Sequence, residues 1–173
     1  MIRKHVVKKL LEHLEGLKDR EREKYLAIWK NFAKNLKEGA VNDFENRDKL
    51  AQLLLFSSSR TAGDERIDLR QYAGRMAEGQ KEIYYITGTS RAVVENSPHL
   101  EICRKKEYEV LFLTDPIDEW VVQALTEYDG KKLKSVLQGE LELDTEDEKK
   151  EHEEKKKDAR CMIHDAKKCQ RLS

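Results

Sequence analysis

The densest set of groups able to do chemistry is the run Thr114-Asp115-Pro116-Ile117-Asp118-Glu119-Trp120. Carboxylates this close together can act as general acid and base or hold a hard cation. The same spacing has a plainer account. Asp115 suits a helix N-cap, Pro116 suits the first helical position, and Asp118 and Glu119 would meet the positive end of the helix dipole. Ile117, Val121, Ala124, Leu125 and Tyr128 would then form the buried face. At about 100° per residue, Trp120 falls on the flank of that stripe, half exposed.

The remaining chemical candidates are thinner. Gly88-Thr89-Ser90 follows an apolar run and precedes a helical pattern, a place where phosphate can bind. A single glycine lacks the fixed multi-glycine spacing of the nucleotide loops, so Thr89 or Ser90 reads as an N-cap. Cys103 as a nucleophile needs a lowered pKa and an adjacent base; its surroundings suit a small buried hydrophobe. Ser57-Ser58-Ser59 has no ordered base beside it in sequence and reads as loop. Cys161 and His164 would share a helix face, with Cys169 five further on, but a zinc site lacks its second ligand pair.

The elements that position these groups follow from periodicity. Residues 2–15 read as a helix with Val6, Val7, Leu10, Leu11 and Leu14 on one stripe, ended or loosened by Gly16. Asp19 can cap a second helix to about Lys37, carrying Tyr25, Ile28, Trp29, Phe32, Ala33 and Leu36, with Gly39 as the stop. At that spacing Trp29 and Phe32 read as core rather than as an aromatic binding box. A third helix starts near Asn46 with Leu50, Leu53 and Leu54. The stretch 57–66 has linker composition around Gly63-Asp64 and is the expected domain boundary. Asp68-Leu69-Arg70-Gln71 has the form of a capping box. Ile83–Thr87 and Val110–Thr114 are short runs rich in β-branched and aromatic residues, suited to strands buried on both faces. Helical patterns separate them, Ser97-Pro98 starting one of them, and Lys132–Leu137 offers a third strand after the Asp129-Gly130 turn. That alternation favours a parallel or mixed sheet. Glu140-Leu141-Glu142-Leu143 can run along its edge.

The expected architecture is therefore α/β. It comprises a helical segment (1–56), a linker (57–66), a small three-layer α/β/α subdomain (67–143), and a charged linker with a terminal helix (144–173). Lys+Arg and Asp+Glu both number 34, so no net field recruits nucleic acid or a membrane. The N-terminus has no secretory signal pattern, and three unpatterned cysteines suit reduced thiols in the cytoplasm.

Several of these motifs occur together in a recognisable order. Ile2-Arg3-Lys4, Glu78-Gly79-Gln80, Ile83-Tyr84-Tyr85-Ile86-Thr87-Gly88, Ser97-Pro98-His99-Leu100-Glu101, Glu109-Val110-Leu111, Asp115 through Trp120, and Asp129-Gly130-Lys131 through Lys134-Ser135-Val136 resemble the middle domain of the heat-shock protein 90 chaperones in their bacterial form. The resemblance spans about residues 2–143 and departs at Glu107, where the family usually has glycine. It implies a helical coil followed by an α/β/α subdomain, and contact with partly folded client proteins through Glu119 and Trp120. ATP and magnesium would belong to the family's N-terminal ATPase domain, and dimerisation to a C-terminal domain. This chain would act with both and hold no cofactor, metal or catalytic residue of its own. Two other readings compete: a small α/β enzyme using the sheet crest at Thr87–Ser90 and Thr114–Glu119, and a self-associating helical scaffold.

Overall fold

The computed structural model describes residues 2–137. Three helices open the chain: α1 (Ile2–Arg20), α2 (Arg22–Asn42) and α3 (Arg47–Leu53). They pack on one another through Leu11, Leu14, Tyr25, Trp29, Leu50 and Leu53. Both long helices run through the glycines expected to stop them. Gly16 lies inside α1 and Gly39 inside α2. Glycine costs a helix interior about 1 kcal/mol. The buried residues on either side, Leu14 and Lys18 in one helix and Lys37 and Ala40 in the other, outweigh it. Asp19 lies inside α1 rather than capping α2.

The buried face of α2 is rotated from the expected stripe. Tyr25, Trp29, Lys37 and Ala40 are buried, whereas Phe32 is 56% exposed. Val6 and Leu10 of α1 are likewise exposed.

The sheet has six strands in the order β2-β1-β4-β3-β6-β5. They are β1 (Leu55–Ser58), β2 (Ile67–Asp68), β3 (Ile83–Thr87), β4 (Val110–Leu113), β5 (Glu127–Tyr128) and β6 (Lys131–Ser135). β3 lies between β4 and β6 and is parallel to both, with Tyr85 opposite Leu111 and Ser135. This is the expected parallel trio. Antiparallel strands extend it on both sides, β1 and β2 beyond β4 and β5 beyond β6, so the sheet is mixed.

β1 is the main departure. The stretch read as a linker begins as a strand with every residue buried, and residues 2–137 fall in one compact unit. Ser58 and Ser59 are hydrogen-bonded within the protein. The Ser58 hydroxyl donates to the Glu109 carboxylate, the Ser58 amide donates to Thr61 Oγ1 (2.8 Å), and Ser59 Oγ accepts from the Val110 amide (3.0 Å).

Four short helices complete the fold: α4 (Leu69–Gly74), α5 (Arg91–Glu95), α6 (Leu100–Lys105) and α7 (Asp118–Ala124). Side chains alternate across the sheet. Ile83, Leu111 and Leu113 join the core shared with α1–α4 and α7. On the other face Arg91 of α5 lies over the Phe112 ring, and Val94, Leu100 and Cys103 of α5 and α6 are buried. Helices thus cover both faces. The Asp68–Gln71 capping box is present in both directions, at 2.8 and 3.1 Å. Glu107 has φ 55°, the left-handed conformation in which a non-glycine residue costs about 1–2 kcal/mol. Residues 138–173, which carry the expected Glu140–Leu143 edge, the charged stretch and the Cys161–His164–Cys169 cluster, lie outside the described residues.

Candidate functional site

The loop leaving β4 and the first turn of α7 carry the acidic run. Asp118 and Asp115 close this turn reciprocally. The Asp118 amide donates to the Asp115 carbonyl (2.9 Å), and the Asp115 amide donates to Asp118 Oδ2 (3.1 Å). The regular helix therefore begins at Asp118 rather than at Pro116. Ile117, Val121 and Leu125 turn toward the core.

Asp118 and Glu119 lie in the first turn of α7, as the sequence suggested, but Asp118 is buried there. It is 2% exposed. Its Oδ1 lies 2.7 Å from Nζ of Lys37, whose side chain is 4% exposed. Lys37 also donates to Asp115 Oδ2 at 2.5 Å. The contact to Asp118 Oδ1 is electrostatic, since that oxygen accepts no well-aligned hydrogen bond. The ammonium also lies 5.9 Å from the Trp29 ring centre and 5.7 Å from that of Phe56, within cation–π range. Burial pushes the Asp118 carboxyl above its ordinary pKa; Lys37 and the Asp115 amide pull it back.

Lys37 is the residue that sequence reading missed. The signal was present. Trp29, Ala33, Lys37 and Ala40 share one helical face, so a lysine interrupts an apolar stripe. Its acidic partners lie some eighty residues away, at separations no local pattern reports.

Glu119 and Trp120 point the other way. Both are exposed, Trp120 by 59%. Glu119 borders a groove of about 470 Å³ over the crest of the parallel strands, lined also by Thr87, Gly88, Leu113, Thr114 and Pro116. A second groove, of about 440 Å³, runs between α2 and β1, with Trp29, Phe56 and Phe112 among its walls. Thr114 and Asp115 border both, so the β4–α7 loop is the ridge between them.

The other candidates resolve structurally. At Gly88 an added Cβ would meet Val94 Cγ1 at 2.5 Å, so the glycine admits α5. Ser90 is the N-cap of that helix. Burial pushes the Cys103 thiol up to about 11, which disfavours the reactive thiolate. Ser58 does sit beside a carboxylate, but both are sealed from solvent. Among the described residues, no group of three or more His, Cys, Asp or Glu is arranged to hold a metal ion, and no helix is long and apolar enough to cross a membrane.

Comparison with known proteins agrees with the motif order. The chain is 56% identical over 158 residues to the chaperone protein HtpG of Geobacter metallireducens, covering 91% of this chain and 24% of that protein. HtpG of Geobacter sulfurreducens matches with the same identity and coverage. The chain thus spans about a quarter of the length of these relatives. Among solved structures, the middle domain of a Plasmodium falciparum heat shock protein superposes with a TM-score of 0.75 at 38% identity, covering 80% of this chain and 57% of that one. The model of the Hsp90 protein family matches residues 1–171, beyond the 2–143 span of the motifs. The chain belongs to the Hsp90 protein family, and its described residues carry the α/β fold of an Hsp90 middle domain.

Proposed function

We propose that this chain supplies a client-contact surface of an ATP-driven chaperone of the HtpG type, and that Glu119 and Trp120 are its contact residues. The observation that carries the reading is the exposure of Trp120 on a helix whose opposite face is anchored. A solvent-facing indole offers a large, rigid apolar area with one polar edge. The exposed carboxylate beside it favours segments with a basic neighbour. Together they suit broad recognition of amphipathic stretches in partly folded chains. In this reading ATP and magnesium bind in the ATPase domain of the whole protein, dimerisation uses another domain, and the machine works in the cytoplasm. The present residues bind and do not catalyse.

The test is Trp120→Ala in this chain, with reduced, carboxymethylated α-lactalbumin as the unfolded probe. Affinity is expected to fall about tenfold or more, the range of an aromatic hot spot. Urea stability should change by less than about 0.5 kcal/mol, as for an exposed site. Unchanged affinity sinks the reading. A stability loss of about 3–5 kcal/mol would mark the ring as core instead.

A further inference from the structure

We infer that Lys37 is a positioning residue that holds α7 in the rotation presenting Trp120 outward; its use in recognition rests on the client-contact reading above.

α7 has only seven residues. A helix that short has no stability of its own and takes its orientation from tertiary anchors. Ile117, Val121 and Leu125 are apolar anchors. Apolar contacts are non-directional, so they hold the helix down without fixing its rotation tightly. Another anchor is Asp118 in the first turn, which accepts an aligned hydrogen bond from the Asp115 amide (3.1 Å) and faces the Lys37 ammonium, itself a donor to Asp115. At about 100° per residue, Trp120 sits about 200° around the helix from Asp118. The groups that fix Asp118 therefore fix the direction of the indole.

Lys37 is itself held. It lies in the C-terminal third of the long helix α2, over Trp29, and against Phe56 of β1. Its ammonium reaches both ends of the β4–α7 turn, Asp115 and Asp118. One side chain thus ties α2 and β1 to the turn from which Trp120 projects. Stability alone is a poor reason to bury a lysine here, because apolar replacements of buried ion pairs are often neutral or stabilising. Fixing one geometry is a better one.

The experiment uses the whole chain labelled with 5-fluorotryptophan. Its two tryptophans give two fluorine resonances, and Trp120 is assigned with Trp120→Phe. Lys37→Met keeps the packing volume and removes the charge. Lys37→Met/Asp118→Asn also removes the carboxylate left buried without a counter-charge, so this variant folds if the single one does not. The carboxamide oxygen that Asp118→Asn introduces would still accept from the Asp115 amide. In the double variant we expect a displaced or broadened Trp120 resonance and affinity for carboxymethylated α-lactalbumin lowered about tenfold, at near-native thermal stability. A purely structural role for Lys37 predicts that the double variant regains the native resonance and affinity, and that result overturns the inference. So does full affinity in the double variant when Trp120→Ala binds poorly. Should Trp120→Ala bind normally, the client reading fails by itself, and the Trp120 resonance alone decides whether Lys37 positions the ring.

Discussion

Two buried lysines anchor short helices in this fold, and they are built differently. Lys18 of α1 reaches Asp68, the N-cap of α4, at 3.2 Å; Lys37 of α2 reaches Asp118, the first residue of α7, at 2.7 Å. The first junction is closed. Lys18 also donates to the Gln52 carbonyl (2.7 Å), Asp68 accepts from the Gln71 amide, and the Gln71 side chain accepts in return from the Asp68 amide. Arg22 adds a second positive charge, 3.6 Å from Asp68. The second junction is less complete. Asp118 Oδ1 lacks an aligned donor, and Asp115 is half exposed. It also borders two grooves and carries Trp120 on its far side. The same lysine–aspartate device therefore locks the interior in one place and aims a surface residue in the other.

The largest expected effect is at the closed junction. Lys18→Met leaves Asp68 buried beside only a partly exposed arginine, and should cost about 3–5 kcal/mol in urea unfolding. Affinity for the unfolded probe, measured on the folded fraction, should stay native. If affinity falls with stability, the contrast between the junctions is lost.

A smaller effect at the second junction depends on pH. Burial, the main influence, holds the Asp118 pKa above its unfolded value, against Lys37. A carboxyl raised in the fold contributes stability that is fully present below the unfolded pKa and lost as pH rises through the folded one. Upward from about pH 4, the urea midpoint of wild type should therefore fall relative to that of Asp118→Asn. A pH-independent difference would contradict the assignment of the raised carboxyl to this junction.

The smallest effect lies remote from both junctions. Glu107→Gly should relieve the left-handed backbone and stabilise by up to about 1 kcal/mol, without altering affinity. A loss of stability would show that Arg60, which donates to the Glu107 carbonyl, and the neighbouring turn depend on the glutamate.

What the sequence disclosed was what is local. β3 and β4 showed themselves because their apolar runs are continuous. The capping box was legible because both its bonds lie within four residues. The glutamate in place of the family's glycine falls at a left-handed position. β1 was hidden because Ser57 and Ser58 have turn composition, and the burial of the Ser58 hydroxyl is made tolerable by Glu109, fifty-one residues further on. Phe32 was misplaced because the stripe on α2 was centred on its apolar residues, whereas the packed face includes Lys37. Of the site, the exposure of Trp120 followed from helical geometry. The anchor behind it did not, because it joins residues whose proximity exists only after folding.

The most direct measurement of the client-contact claim is a titration of the 5-fluorotryptophan chain with reduced, carboxymethylated α-lactalbumin. The Trp120 resonance should shift or broaden saturably, while that of the buried Trp29 holds its position. Saturable binding that leaves the Trp120 resonance untouched would contradict the account.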